Sequence, residues 1–250
     1  MLGIVTAFKE EVREYLRHGG FRVADRDGYL SYYLSKRQPD VVLVEGGIGR
    51  QRASEATRQI AERYKPELIV SAGFAGGVQE GLSTGDVFLC ERVMSIEGPA
   101  AFWSLDAANE RLLVGDNILN GMPTDLAEPY EGYASIGCLS VPQFVPTSSM
   151  KSWIGNTFPV SIIDMESYWV SETAASYGIP HMVVRSVLDP VGQTLPAFVE
   201  GAVGEGSGSN WARAVKYAVA RPMETPKLLQ LSGQAKVARA SLAEFLITLT

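Results

Sequence analysis

His181-Met-Val-Val-Arg-Ser-Val-Leu-Asp189 is a run of strand formers that ends on an acid, and Val160-Ser-Ile-Ile-Asp-Met-Glu-Ser167 sets a second acid, Glu166, beside another apolar run. A carboxylate at the C-terminal end of a buried strand costs desolvation energy and persists where something uses it. In open α/β sheets those strand ends are where ligands bind. The two acids therefore point to a polar small-molecule site. The other reading makes both of them helix caps or loop acids, and spacing alone does not choose.

Outward from these runs, strands and helices alternate. Leu2–Ala7 is a short apolar run, and Lys9–Arg17 carries charges at helical spacing. Gly28–Leu34 and Val41–Glu45 read as strands around the polar turn Lys36–Asp40. Gly46-Gly-Ile-Gly49 interrupts the pattern before a helix over Arg52–Tyr64. Leu68–Val70 is a buried strand closed by Ala72-Gly-Phe-Ala-Gly-Gly77, and Asp86–Cys90 is another. Ile96–Glu131, richer in Asn, Pro and Gly, reads as loops with one helix at Leu105–Leu113 and is a candidate lid. Strand signals return at Ala134–Val141, Ser161–Ile163 and Met182–Val187, with a helix at Glu166–Tyr177 closed by Gly178 and Pro180. Gly201–Ser209 is a flexible Gly/Ser segment, and helices follow at Trp211–Ala220 and Thr225–Leu249. The reading is one α/β domain over residues 1–250 with a helical C-terminal extension at about 210–250.

Bulk properties narrow the function. With 250 residues and 46% hydrophobic content the chain can bury a full core. A formal charge of −6 without a basic patch argues against nucleic acid as the partner. No apolar run approaches the roughly 20 residues of a membrane span. The start, Leu2-Gly-Ile-Val-Thr-Ala7, shows no basic segment with a cleavage site, so no signal peptide is expected and the location read is cytoplasmic. Cys90 and Cys138 lack CxxC spacing and read as buried apolar thiols, with a disulfide or metal pair as the lesser alternative. His18 and His181 are too few and scattered for a metal site and are expected at surface or strand-edge positions. No metal or cofactor is expected.

Both glycine turns follow an apolar strand, where glycine lets the backbone approach a ligand and offer N–H groups to an anion or hydroxyl. Neither fits GxGxxG or the GxxxxGK[ST] loop, so a dinucleotide or NTP site is unsupported. Tight strand-to-helix turns are the plainer explanation for each taken alone.

Taken in order, these pieces resemble the purine nucleoside phosphorylase and nucleosidase superfamily, and within it the methylthioadenosine/S-adenosylhomocysteine nucleosidases. Gly3-Ile-Val-Thr-Ala-Phe-Lys-Glu-Glu-Val12, the two glycine turns, Thr84-Gly-Asp-Val87, Asp164-Met-Glu-Ser167 and Val183–Asp189 carry the resemblance, which spans about residues 1–195. It implies a nucleoside-phosphorylase-like α/β domain with a mixed central sheet flanked by helices, a purine nucleoside substrate and a homodimer. It also implies roles. Glu166 binds the ribose hydroxyls over Met165, and Asp189 gives or shares a proton at purine N7. Glu11 activates the attacking water, Phe144 stacks on the base and the Val145 backbone reads its edge. The chemistry agrees, since N-glycosidic cleavage needs a protonated leaving group and nearby negative charge. Glu11 could equally be a solvated acid in a first helical turn, and Phe144 a core aromatic.

Phosphorylases of this superfamily grip phosphate with an arginine and a serine or threonine around the second glycine turn. Here Ser71, Gly73 and Phe74 stand there, and Phe74 offers no side-chain donor to an anion, although Arg50 or Arg52 could supply one. Hydrolysis is therefore expected, with a phosphate-dependent phosphorylase and a non-catalytic nucleoside-binding protein as rivals. Asp189-Pro-Val191, Leu195-Pro196 and Arg221-Pro-Met-Glu-Thr-Pro-Lys-Leu-Leu229 resemble the hopanoid-associated branch, which implies a large or apolar 5′ substituent, adenosylhopane-like or methylthioadenosine-like.

Overall fold

The computed structural model describes residues 1–96, 113–118, 134–195 and 225–250. Two long strands dominate it, β5 (Leu68–Gly77) and β10 (His181–Asp189), paired in parallel along their lengths. Their β-branched and small residues suit a strand covered on both faces, and every β10 residue except Leu188 is buried. β10 also pairs antiparallel with β6 (Val87–Ile96), and β6 runs parallel to β8 (Ala134–Ser140). β8 lies parallel to the short β9 (Ile162–Asp164), which returns antiparallel to the end of β5. Five strands thus close into a ring.

From β5 the sheet continues as an open wing: β1 (Leu2–Thr6), β4 (Val41–Glu45), β3 (Leu30–Leu34) and β2 (Arg22–Asp27). β7 (Leu113–Ile118) pairs with β6. The mixed sheet flanked by helices is as the sequence implied.

Helices cover the sheet. α1 (Arg13–Gly19) follows β1, and α2 (Arg50–Tyr64) packs against β1, β4 and α4 (Ser167–Ser176). α3 (Ser148–Thr157) starts at Thr147, whose hydroxyl accepts the Met150 N–H. α5 (Thr225–Leu249) buries Ala238, Leu242, Phe245 and Leu246, a helical stripe laid on β10 and α1.

Several sequence expectations change. β2 was missed because Arg22-Val-Ala-Asp-Arg-Asp27 is exposed at every position and so has no inner face to alternate with. α3 was missed although Thr147 is an ordinary N-cap. β7 falls where loops were expected. The remainder of the helix expected at Leu105–Leu113, the rest of the candidate lid, the Gly/Ser segment and the helix at Trp211–Ala220 lie outside the described residues. His18 is exposed on α1, but His181 is buried at the start of β10, where strand pairing covers it. Cys90 and Cys138 are buried free thiols. No helix among the described residues is long and apolar enough to cross a membrane.

Candidate active site

The C-terminal ends of β1, β5, β9 and β10 converge on a cavity of about 340 Å³. The ends of β1, β9 and β10 each bring an acid through a different local device, and β5 brings the Phe74 N–H and the space at Gly73.

Glu11 lies in the turn between β1 and α1 and folds back over the strand end. Its Oε2 accepts the Thr6 hydroxyl at 2.9 Å and the Phe8 N–H at 3.0 Å, and its Oε1 accepts the Phe74 N–H at 2.9 Å. It precedes the helix rather than sitting solvated in its first turn. Gly73 makes room for it, since a Cβ there would stand 3.0 Å from Oε1. Burial raises the Glu11 pKa, and the donors and Arg185 pull against that.

Glu166 stands at the N-cap position of α4 yet makes no capping bond. Its Oε1 instead accepts the N–H of Gly49, across the site at 2.9 Å. Gly49 can present that N–H because its φ is +88°, open to glycine and strained for other residues. Burial pushes the Glu166 pKa up, and the charges of Asp164 and Glu11 push it further. The cap of α4 is Asp164, whose Oδ2 accepts the Ser167 N–H at 2.9 Å.

Asp189 ends β10, where the pairing with β5 shifts after Val187 and sets it opposite Gly76. It is 5% exposed, and burial pushes its pKa up to about 6 against the opposing effect of Lys151. The Lys151 ammonium donates to its Oδ2 at 2.8 Å.

Every residue singled out from the sequence reaches this place. Glu11, Phe74, Phe144, Val145, Met165, Glu166 and Asp189 line the cavity, and Gly73 lines the small recess beside Glu11 and Glu166. Phe144 is half-buried in the loop between β8 and α3, facing the cavity rather than the core. Sequence reasoning missed three contributors. Arg185 is buried and donates to Asp164 at 2.8 Å, to the Ser71 carbonyl at 2.9 Å and to the Ser71 hydroxyl at 2.8 Å. Asp164 also accepts the Ser140 hydroxyl at 2.6 Å. Lys151 is wholly buried, and its signal was a lysine in phase with the apolar Ile154 and Phe158.

The family model of the phosphorylase superfamily matches residues 1–132. This chain belongs to that superfamily. Among its superfamily relatives, a 5′-methylthioadenosine/S-adenosylhomocysteine nucleosidase of Listeria monocytogenes is 28% identical over 211 residues, 77% of this chain and 87% of the relative. The enzyme of that name from Haemophilus influenzae is 26% identical over 195 residues, 75% and 85% of the two chains. In fold the chain is similar to the Neisseria meningitidis nucleosidase solved with methylthio-immucillin-A, with a TM-score of 0.67, 19% identity and coverage of 98% and 96%. It is also similar to futalosine hydrolase of Helicobacter pylori, with a TM-score of 0.63, 19% identity and coverage of 88% and 97%. Proteins named as nucleosidases and as a hydrolase are thus among those this chain is similar to.

Proposed function

We propose that this protein hydrolyses the N-glycosidic bond of a purine nucleoside of the adenosine type. One observation carries the choice of hydrolysis over phosphorolysis: one backbone donor from each glycine turn is already spent on the protein's own carboxylates. The Gly49 N–H goes to Glu166 and the Phe74 N–H to Glu11. The Ser71 hydroxyl is held by Arg185. A phosphate dianion placed there would lose hydration without gaining these two backbone donors, and it would face two acids. Arg50 and Arg52 lie over the rings of Trp169 and Tyr29.

In this reading Glu166 accepts the ribose 2′- and 3′-hydroxyls above Met165, and the base lies against Phe144 with its edge at the Val145 backbone. Asp189 protonates N7, the C1′–N9 bond breaks toward the base, and Glu11 takes a proton from the water that adds at C1′. The cavity runs on into a groove of about 780 Å³ of mixed character, lined by Phe8, Tyr29 and Ile48 and also by the charged Lys9, Arg26, Glu45 and Arg52. That space supports a substituent at the 5′ position, large or apolar as in methylthioadenosine or an adenosylhopane. The reading treats residues 1–250 as one domain, since α5 packs on β10 and α1, and includes a cytoplasmic homodimer.

The test is base release from adenosine, methylthioadenosine, inosine and a 5′-alkyl adenosine, with and without phosphate. Free ribose in phosphate-free buffer is expected, with Glu11→Gln abolishing turnover while nucleoside binding survives. A strict phosphate requirement with a sugar 1-phosphate product would move the protein to the phosphorylases.

A further inference from the structure

Lys151 has no solvent-exposed surface, and its ammonium makes two short bonds, to Asp189 Oδ2 at 2.8 Å and to the Pro190 carbonyl at 2.7 Å. Burying a lysine is costly, and replacing a buried ion pair by apolar residues is often neutral or stabilising, so packing alone does not ask for one here. The first turn of a helix is also the wrong end of the helix dipole for a cation. Lys151 occupies that turn of α3 all the same.

The surroundings hold α3 firmly in place. Gly155 meets the Val78 carbonyl so closely that a Cβ there would overlap it. The Gln79 amide donates to the Gly155 carbonyl at 2.6 Å, and the Leu195 N–H to the Pro146 carbonyl at 2.8 Å. The other charged groups near the carboxyl are engaged elsewhere: Asp164 with Arg185, Glu166 with the Gly49 N–H, and Glu11 with Thr6, Phe8 and Phe74. Across β5 and β9 the carboxyl faces the uncharged Gly76 and Ile163. Glu10 lies at the rim of the cavity.

We propose that Lys151 is the positioning residue of the acid: it fixes one oxygen of Asp189, leaves the other for the base, and stabilises the carboxylate that remains once the proton has gone. This rests on the reading of Asp189 as proton donor to N7. In the step, the proton passes from Asp189 to N7 and the C1′–N9 electron pair goes to the base. Water oxygen bonds C1′ and its proton goes to Glu11. Solvent then restores a proton to Asp189 and removes one from Glu11. With no cation at hand, the same buried carboxyl would hold its proton more tightly and deliver it less readily.

Lys151→Met, Lys151→Gln and Asp189→Asn test this on the full chain, with the best substrate among adenosine, methylthioadenosine and inosine. The Asp189 carboxyl is followed separately by carbon NMR titration of aspartate-labelled protein, its signal assigned by its loss in Asp189→Asn. Lys151→Met should lower kcat about 10- to 100-fold, a part of the 10²–10⁴-fold that general acid catalysis supplies, with KM little changed. The Asp189 titration should move up by about one pH unit or more. Lys151→Gln, which keeps a donor and loses the charge, should follow Met. An unmoved titration, wild-type kcat in both variants, or failure of both to fold would make Lys151 structural and overturn the inference. Wild-type turnover in Asp189→Asn would overturn the Asp189 reading itself. Impaired Asp189→Asn beside wild-type Lys151 variants would overturn the inference alone.

Discussion

Asp164 and Asp189 are both buried acids at strand ends, and each meets a buried cation at 2.8 Å, yet their surroundings differ in supply. Asp164 accepts from Arg185, from Ser140 and twice from Ser167, so its lone pairs are filled by neighbours on β8, α4 and β10. Both residues line the cavity, but Asp189 has Lys151 as its side-chain partner where Asp164 has three. A saturated carboxylate is a joint between elements. An undersupplied one keeps capacity for a ligand, and its displaced pKa shows that its environment favours the proton.

The comparison can be broken most sharply by exchanging the losses. Asp189→Asn keeps the shape but cannot deliver a proton, so base release should fall about 10²–10⁴-fold with the urea midpoint nearly unchanged. Asp164→Ala should do the reverse, leaving Arg185 buried and short of its carboxylate at a cost of about 3–5 kcal/mol, read as a lower urea midpoint. If Asp164→Ala left stability intact, the joint reading would be wrong. Glu166→Gln is a smaller change. It should weaken ribosides by up to about 1.5–3 kcal/mol per lost charge-assisted bond while free adenine binds as before, measured by calorimetry. Equal losses for both would return Glu166 to a structural role. The mildest test is pH. A carboxyl raised to about 6 holds its proton below that value and loses it above. Wild-type base release should therefore decline as pH rises through 6, and a rise in the same window would contradict Asp189 as the acid.

Much of this contrast was legible from residues. The strand runs ending at Glu166 and Asp189 pointed to a site because desolvation makes a buried carboxylate conspicuous among valines, whereas Glu11 entered only through the family resemblance and the glycine turns alone read as plain turns. What stayed hidden depended on three-dimensional pairing. Asp164 and Arg185 were in view as letters of the two runs, but only the register of β8, β9 and β10 joins them to Ser140 and Ser71. In their ligand-binding reading the glycine turns offer open donors, whereas the fold brings Glu11 and Glu166 back onto them. Lys151 was invisible for a related reason. Its partner lies 38 positions away, and the helix presenting it was not read. β2, exposed at every position, is held by its pairing with β3 and has no buried face to show as an alternating pattern.

Gly155 gives the molecule a tolerance limit. It is not among the residues lining the cavity and carries no chemistry, yet the first methyl group added there would push α3 away from Val78, one turn from the lysine that reaches Asp189. The clearance at this contact is thus the gauge that sets the reach of Lys151. Selection for folding and selection for turnover should therefore both keep position 155 glycine, because the same backbone overlap would cost stability and misplace Lys151.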